Sequence, residues 1–358
     1  MAKTSSEGMK EDPEIRRGRG ANGRARLEDV ARSAGVSTAS VSRVFSDKGN
    51  VSEEIASRVR AAARELKWAP HAAGRALASS RTNIAGAIIP TLDVEVFARQ
   101  VSGLQSVFIK QNMTVFLGCS NYDPASSLSH ARAMLARGVE ALAIAGEDHP
   151  SELFEELADR DVPYVITYAY RPDGPHHYVG FDHAKAFYQI VEHLFRLGHR
   201  RFAVILQPVA NNSRVQARLA GIRAAVSDHG LRLPDDNVCV GSYDIGFGAA
   251  SLARLMDRSR KERPTAVVCG NDILAIGALA GAAELGLSAP HDFSLTGFDD
   301  LSISSLLRPH LTTMKVDNFA IGSLAAEQLL AILKGGTGHS ITVSPTLMIR
   351  DTTGSPPD

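Results

Sequence analysis

Hydrophobic positions recur with two different spacings along this chain, and the change in spacing divides it into two regions. Between residues 27 and 66, apolar side chains return every three or four positions in three short segments, which predicts three amphipathic helices. From Ile84 onward, short apolar runs alternate with longer stretches of helical spacing. Such alternation is typical of parallel β-sheets covered by helices. We therefore expect an all-α N-terminal domain followed by an α/β core.

The α/β region is long enough for two sheets. Its apolar runs predict strands over residues 84–89, 113–118, 141–145, 164–167, 201–206, 238–242, 266–269 and 293–296. The stretches of helical spacing predict helices over residues 97–110, 126–137, 151–159, 183–197, 215–229, 246–257, 272–284 and 319–333. About eight strands over roughly 250 residues favour two doubly wound, Rossmann-like lobes.

The first two helical segments, within residues 27–45, meet at Gly35. Their apolar faces are formed by Val30, Ala31 and Ala34 in the first segment and by Val41 and Val44 in the second. The other face of the second segment carries small and polar side chains: Ser37, Thr38, Ala39, Ser42 and Arg43. In a helix-turn-helix this second helix enters the major groove of DNA, so that face is a candidate DNA-reading surface. Taken alone, the stretch fits a plain helical hairpin with a solvated face equally well.

A third helix is predicted over residues 51–66. Ser52 can cap it, and acidic residues follow in its first turn. Its apolar stripe consists of Ile55, Val59, Ala62 and Leu66. Residues 69–82 then form a short amphipathic segment that Pro70 opens. Three helices and an amphipathic linker strengthen the DNA-binding interpretation.

Ordered short motifs run through both regions. In the first they are DVA at 29–31, AGVS at 34–37, VSRV at 41–44, VS at 51–52, and Arg75 with Leu77. In the second they are VGFD at 179–182, LGHRR at 197–201, RLAG at 218–221, PTA at 264–266, ND at 271–272, GFDD at 297–300, Pro309 and LTT at 311–313. In order and spacing the chain resembles the lactose repressor/galactose repressor (LacI/GalR) family of bacterial transcription regulators, from Arg26 to Thr352.

The resemblance implies a sequence-specific transcriptional repressor that binds a pseudo-palindromic double-stranded DNA operator as a homodimer. Its core would resemble a periplasmic sugar-binding protein, with a small-molecule effector between two lobes. The chain would cross between the lobes near residues 167–182, 301–311 and 333–341. Residues 71–79 would form a hinge helix whose Leu77 enters the minor groove as an apolar wedge.

The chemistry of the second helix suggests a role for each exposed side chain. Arg43 can donate two hydrogen bonds to guanine, and Thr38 and Ala39 suit contact with a thymine methyl group. Ser37 and Ser42 suit phosphate contacts. Arg26 stands where the family commonly has a capping Thr, and losing that cap would cost about 1 kcal/mol.

These patterns divide the 358 residues into five parts. Residues 1–23 are charged and poor in apolar side chains, so we expect a disordered basic tail. Residues 24–70 are the helix-turn-helix domain and residues 71–82 the hinge. Residues 83–352 are the effector-binding and dimerisation core, and residues 353–358 are a C-terminal tail.

The charge distribution agrees with DNA binding at the N-terminal end. The formal net charge is zero, but residues 1–81 hold 16 Lys and Arg against 10 Asp and Glu, about +6. The remaining residues hold 23 against 29, about −6. Neutralising DNA phosphates requires basic side chains where the DNA lies.

Cysteine usage and hydropathy exclude several classes of protein. Cys119, Cys239 and Cys269 are widely spaced and odd in number, and no apolar leader opens the chain, so we expect reduced thiols in the cytoplasm. No Cys/His cluster suggests a metal site. No apolar run approaches the ~18 residues that span a membrane. We expect no cofactor, no metal and no membrane.

The candidate ligand site lies at the carboxyl ends of the predicted strands, where open α/β sheets bind ligands. Phe97, Tyr243, Asn271 and Asp299 follow such strands, and Arg218 opens a helix. An amide, a carboxylate, a guanidinium and aromatic rings suit a polyol. The resemblance makes these five residues effector contacts and suggests that Asp182 orients Arg218. Structural alternatives are a helix cap for Asn271, a loop turn for Asp299 and a core position for Phe97.

We expect a sugar or a sugar acid as effector. A purine is the alternative, because Tyr168, Tyr170 and Tyr243 would offer stacking surface. A nucleotide-dependent enzyme is a remote alternative that rests on the glycine-rich turn at residues 246–250. Ser251 stands where a dinucleotide-binding turn needs its third glycine. We expect no catalytic residues.

Overall fold

The computed structural model of this chain describes residues 25–45, 51–69 and 81–357. The chain divides into two compact units, with the boundary between Thr82 and Asn83. The expected basic tail of residues 1–23 and the expected hinge residue Leu77 lie outside the described residues.

The N-terminal unit consists of short helices around one small core. In its described part these are α1 (Leu27–Ala34), α2 (Thr38–Val44) and α3 (Glu53–Glu65). Gly35 ends α1 in the left-handed conformation, with φ of 63°, and its N–H donates to the carbonyl of Arg32 at 3.2 Å. Val30, Val41 and Val59, one from each helix, are completely buried in the same cluster. The predicted apolar faces of the three helices are confirmed.

The described part of the second unit alternates strands and helices. In chain order they are β1 (Ile84–Ile89), α4 (Glu95–Phe108), β2 (Thr114–Cys119), α5 (Pro124–Leu135), β3 (Ala141–Ala145), α6 (Ser151–Ala158), β4 (Tyr164–Thr167), β5 (Tyr178–Gly180), α7 (His183–Arg196), β6 (Phe202–Leu206), α8 (Ser213–Asp228), β7 (Val238–Val240), α9 (Ile245–Met256), β8 (Ala266–Cys269), α10 (Asp272–Glu284), β9 (Ser294–Asp299), β10 (Thr312–Lys315), α11 (Asn318–Leu333), β11 (Ile341–Thr342) and β12 (Thr346–Met348). All the predicted strands and helices are present.

Two sheets form the two lobes of this core. Among the described residues the first has the order β11-β5-β4-β3-β1-β2, and all its neighbouring strands are parallel. The second has the order β12-β10-β9-β8-β6-β7 and is parallel except at β12. The central strands β3, β6 and β8 are buried along their whole length, as expected for sheets covered on both faces.

The chain crosses between the lobes three times: from β5 to α7, from β10 to α11 and from β11 to β12. The first crossing agrees with the predicted residues 167–182. The second prediction, residues 301–311, is wrong, because the buried Asp272 holds that loop in the second lobe. The carboxylate of Asp272 accepts hydrogen bonds from the N–H of Leu301 at 2.8 Å and from the hydroxyl of Ser304 at 2.6 Å. The third crossing follows β11, after the predicted residues 333–341.

Four short strands were not predicted: β5, β10, β11 and β12. None of these segments holds more than two consecutive apolar residues, whereas the equally short predicted strands β4, β7 and β8 hold three or four. Strand β10 also begins with Thr312 and Thr313, which are polar but completely buried. Their hydroxyl groups have partners inside the lobe, and that of Thr313 donates to Asp272 at 2.5 Å.

The glycine-rich turn at residues 246–250 serves helix packing. A Cβ atom at Gly248 would lie 2.4 Å from the carbonyl oxygen of Leu274, in the neighbouring helix α10. In the same way, a Cβ atom at Gly277 in α10 would lie 2.1 Å from the carbonyl oxygen of Ile245 in α9. Close contact between α9 and α10 therefore accounts for these glycines without a phosphate ligand.

Candidate functional site

The predicted DNA-reading residues all lie on the exposed face of α2. Ser37, Thr38, Ala39, Ser42 and Arg43 are solvent-exposed, whereas Val41 on the other face is completely buried. The hydroxyl oxygen of Ser37 accepts a hydrogen bond from the N–H of Ser40 at 3.2 Å, so the predicted N-cap is present. A rigid helix with a small and polar outer face has the form that fits a major groove.

The start of α1 compensates in part for its missing cap. The side chain of Arg26 makes no capping hydrogen bond. Instead, the carboxylate of Asp29 accepts from the N–H of Arg26 at 2.8 Å. The guanidinium of Arg26 therefore does not cap α1.

A cleft lies between the two lobes of the core. It encloses an empty volume of about 340 Å³, part of which is open to solvent. Four of the five predicted ligand-binding residues line it: Phe97, Arg218, Tyr243 and Asp299. Phe97 is also part of the hydrophobic core, as its alternative predicted.

Asn271 is not among the residues that line this cleft. It is buried, and its side-chain oxygen accepts from the N–H of Leu274 at 2.9 Å, which caps α10. The side-chain oxygen of Asn271 therefore has the role that the helix-cap alternative predicted. Its side-chain nitrogen is buried and has no hydrogen-bond partner.

Other lining residues were not among the five predicted contacts, although Tyr168 was named for the purine alternative. These are Val94, Val96, Tyr122, Tyr168, Gln207, Asn212, Arg214 and Val215. Tyr122, Tyr168 and Gln207 follow β2, β4 and β6, so the rule of ligands at strand ends would have found them if it had been applied to every strand. Arg214 stands one helical turn before Arg218 on α8.

Arg218 is held by several partners at once. Its Nε donates to Nδ1 of His183 at 3.2 Å, and its Nη1 donates to the carbonyl of Gly270 at 2.6 Å. The guanidinium carbon also lies 4.7 Å from the ring centre of Phe298, a cation–π contact. Asp182, the predicted orienting residue, caps α7 instead, where it accepts from the N–H of Lys185 at 3.0 Å. His183 performs the role that the sequence assigned to Asp182.

His183 can accept from Arg218 because it is neutral. Complete burial, and then the charge of Arg218, hold the pKa of His183 well below its usual value. The other ring nitrogen, Nε2, lies 2.9 Å from the carbonyl oxygen of Tyr168, so Nε2 carries the proton and Nδ1 is the acceptor.

Asp299 connects the lobes through Tyr168. The Tyr168 hydroxyl, in the first lobe, donates to the carboxylate of Asp299, in the second. Burial raises the pKa of Asp299 to about 7, although the charge of Arg218 and the bond from Tyr168 act in the opposite direction. Both residues have positive φ angles, 104° for Asp299 and 59° for Tyr168. Strained backbone of this kind concentrates at binding sites and switches.

Two further contacts join the lobes on either side of the cleft. The N–H and hydroxyl of Ser213 both donate to the carboxylate of Asp148 at 2.9 Å. The N–H and hydroxyl of Ser302 donate to Glu95 at 3.1 and 2.6 Å. The lobes are therefore held in a closed arrangement around the cleft.

The chemistry of the cleft is that of binding through hydrogen bonds and charge. Within the described ranges, no group of three or more His, Cys, Asp or Glu residues is arranged to hold a metal ion. No helix in the same ranges is long and apolar enough to cross a membrane. The three cysteines are free thiols, two of them buried.

Comparisons with known proteins agree with this architecture. Residues 26–71 match the family described as bacterial regulatory proteins, lacI family, and residues 191–353 match the periplasmic binding protein-like domain. The HTH-type transcriptional repressor PurR of Escherichia coli is 30% identical over 330 residues, which cover 91% of this chain and 96% of that protein. Catabolite control protein A of Priestia megaterium is 28% identical over 317 residues, covering 88% and 95%.

Solved structures show the same similarity. The lac repressor dimer bound to operator and the anti-inducer ONPF has a TM-score of 0.82 and 26% identity, covering 93% of this chain and 100% of that one. A LacI family regulator from Silicibacter pomeroyi has a TM-score of 0.82 and 27% identity, covering 91% and 98%. The predicted fold, a helix-turn-helix region followed by two periplasmic-binding-protein-like lobes, is confirmed.

The comparisons also decide the class of function. The family is one of DNA-binding transcriptional regulators, which removes the enzyme alternative and gives the cytoplasm as the place of action. Regulators of this family bind operator DNA as dimers and respond to small-molecule effectors. This chain belongs to the lacI family of bacterial regulatory proteins.

Proposed function

We propose that the chain is a repressor switched by a sugar or sugar acid that binds in the interlobe cleft. The observation that carries the proposal is that the cleft is lined by side chains from both lobes, Phe97 from the first and Arg218, Tyr243 and Asp299 from the second. A ligand that contacts both lobes favours their closed arrangement and shifts the population toward it. The similar lac repressor, solved with operator and an anti-inducer, supports this pairing of DNA and effector.

The polar groups of the cleft fit a polyol. Arg218 is a fixed donor, and Asp299, with a pKa of about 7, can accept or donate. Tyr243, which is half-buried, offers aromatic surface to the C–H face of a sugar ring, whereas Phe97 is buried and forms part of the cleft wall. Tyr122 also lines the cleft and adds another phenol.

A purine effector finds less support. Stacking needs aromatic faces open to the cleft, but the hydroxyl of Tyr168 is bonded to Asp299 and its ring is buried. Tyr170 packs with the hydrophobic cluster of the first lobe that includes Tyr178, and it does not line the cleft. Of the three tyrosines considered, only Tyr243 and Tyr168 are at the cleft.

We assign operator reading to α2. Arg43 reads a guanine, Thr38 and Ala39 contact a base edge or a thymine methyl group, and Ser37 and Ser42 bind phosphate. Leu77, outside the described residues, acts as the apolar wedge in the minor groove of the operator centre.

The test is selection of binding sites from a random DNA pool. For the wild type we expect a pseudo-palindrome with half-sites about one helical turn apart. Arg43→Ala should relax the preference at one guanine of each half-site, by about 1–3 kcal/mol, and keep the general affinity for DNA. The control is Arg60→Ala on α3, an exposed residue that pairs with Glu53 at 3.2 Å and should not alter the selected sequence. An equal loss of affinity for all DNA in Arg43→Ala would show that Arg43 binds phosphate.

A further inference from the structure

Helix α8 presents two arginines to the cleft, one helical turn apart, and their surroundings differ. Arg214 is 8% exposed and Arg218 is 3% exposed. Arg218 donates to His183, Gly270 and Tyr168. The buried Nε of Arg214 has no hydrogen-bond partner. Arg214 is therefore a nearly buried cation with an unpaired Nε donor, whose guanidinium carbon lies 5.8 Å from the ring centre of Tyr168.

The charges of the cleft do not balance. Its lining holds two guanidinium groups and a single carboxylate, Asp299. The ion pairs within the described residues include neither arginine. Asp299 is bonded to Tyr168, and the charges of both arginines act on it only from a distance, where they lower its pKa. Burying an ion without a partner is costly, so the folded protein keeps an excess of positive charge at some expense of stability.

The backbone next to Arg214 is shaped to let the guanidinium lie flat against it. Gly146 follows β3 with φ of 83°, and a Cβ atom there would lie 3.0 Å from the guanidinium carbon of Arg214. His149, in the same loop, keeps a buried Nε2 without a partner. Burial, and then the charge of Arg214, lower the pKa of His149 to about 4, so its ring is neutral and does not add to the positive charge.

The geometry points to an oxyanion as the missing partner of Arg214. We propose that the effector is a polyol that carries a carboxylate or a phosphate. Its oxyanion pairs with Arg214, and its hydroxyl groups contact Arg218 and Asp299. A planar guanidinium binds such oxyanions through two parallel hydrogen bonds. This inference rests on the proposed function, because it identifies the ligand class of the same cleft.

The first experiment compares acids with their neutral parents by thermal shift of the full-length protein. The probes are galacturonate against galactose, glucuronate against glucose, gluconate against sorbitol, and glucose 6-phosphate, at matched ionic strength. A ligand that binds the folded state raises the melting temperature. We expect at least one anionic probe to bind about tenfold or more tightly than its neutral parent, and the phosphate arm separates a phosphorylated sugar from a sugar acid. Equal binding by the neutral parents, or no stabilisation by any anionic probe, would overturn the proposal.

The second experiment applies the same substitution to both arginines. Arg214→Gln removes an unsatisfied buried cation, so it should raise the melting temperature without ligand and abolish the preference for anions. Arg218→Gln is the matched control, because it deprives Gly270 and His183 of their donor and should lower the melting temperature. If Arg214→Gln lowers the ligand-free melting temperature as much as Arg218→Gln does, Arg214 is a structural residue and the proposal is wrong.

Operator binding in the presence of each stabilising probe separates this inference from the proposed function. A neutral sugar that binds in the cleft and alters operator affinity would support the proposed function and contradict the proposed oxyanion. An acid that binds through Arg214 without altering operator affinity would support the proposed oxyanion site and contradict the proposed function. An acid that does both supports the two proposals together.

Discussion

The outer face of α2 and the interlobe cleft both present arginine to a proposed partner, but the two surfaces are built in different ways. The α2 face comes from seven consecutive residues, all its proposed contacts are exposed, and a core of three valines supports it. The cleft draws on residues from Val94 to Asp299, most of which are buried. One surface is set by a single helix, and the other exists only when two lobes meet.

This difference determines how each surface fails. The proposed contacts of α2 are exposed, so we expect a change at Thr38, Ala39, Ser42 or Arg43 to remove an interaction with DNA and to leave the helix intact. In the cleft, each polar side chain also satisfies another: Arg218 orders His183 and Gly270, and Asp299 accepts from Tyr168. Substitutions in the cleft therefore alter stability and pKa values together with ligand binding.

The largest effect is expected from Val59→Asp, which should unfold the N-terminal unit and leave the core folded. Val59 is completely buried in the small core of the N-terminal unit. A buried charge without a partner costs about 3–5 kcal/mol, as much as a helical unit of this size can supply. Operator binding should disappear, while the thermal transition of the core and its response to ligands remain. The measurements are fluorescence anisotropy with operator DNA and differential scanning calorimetry.

Ala61→Asp is the control for this substitution, because it adds the same charge at an exposed position of the same helix. It should keep the fold and change operator affinity only through its charge. If the melting transition of the core moved with Val59→Asp, the two units would unfold together and the contrast between them would not hold.

A smaller effect, dependent on pH, is expected from Asp299→Asn. Burial raises the pKa of Asp299 to about 7 from the model-peptide value of 3.8, so the folded state binds its proton more tightly than the unfolded state does. The stability that this group contributes is fully present below about pH 4 and is lost as the pH rises through about 7. Asp299→Asn does not titrate. Its advantage over the wild type in urea unfolding should therefore grow between pH 5 and pH 8, by on the order of 2 kcal/mol.

Tyr168→Phe sharpens this measurement. The hydroxyl of Tyr168 lowers the pKa of Asp299, so its removal should move the titration to higher pH. Asp272, whose pKa burial raises to about 6, is present in all three proteins, and its charge is one cause of the raised pKa of Asp299. A stability difference between the wild type and Asp299→Asn that is equal at pH 5 and pH 8 would show that Asp299 is ionised throughout this range.

The sequence predicted the structural features that depend on residues close together along the chain. The spacing of Val30, Val41 and Val59 predicts the helices and the core that they share, and Ser37 is identifiable as a cap from its position alone. Strand ends predict that Phe97, Arg218, Tyr243 and Asp299 come together, because parallel strands place their carboxyl ends at one edge. What a strand end does not reveal is which partner each side chain chooses.

The remaining errors arise from that choice. Asp182 and His183 are adjacent, and the start of α7 decides which of them faces Arg218. Because the carboxylate of Asp182 caps this helix, the imidazole of His183 contacts Arg218. Asn271 also caps a helix, α10, through its side-chain oxygen, and its ligand contact stays a prediction. The crossing at residues 301–311 was wrong because Asp272, 29 residues before Leu301, anchors that loop. Long-range hydrogen bonds of this kind leave no periodic pattern in the sequence.

The smallest expected effect, and the sharpest test of the α2 face, concerns Ser37, which has both a structural and a proposed DNA-binding role. Ser37→Ala removes the cap on the N–H of Ser40 and should destabilise the N-terminal unit by about 1 kcal/mol in urea unfolding. Ser37→Asp separates the two roles, because Asp is an equally good cap but repels phosphate. It should keep the stability of the wild type and lose operator affinity, with a weaker loss at high salt. Unchanged operator affinity in Ser37→Asp would mean that Ser37 only caps α2, and that the phosphate contact at this end of the helix belongs to another residue.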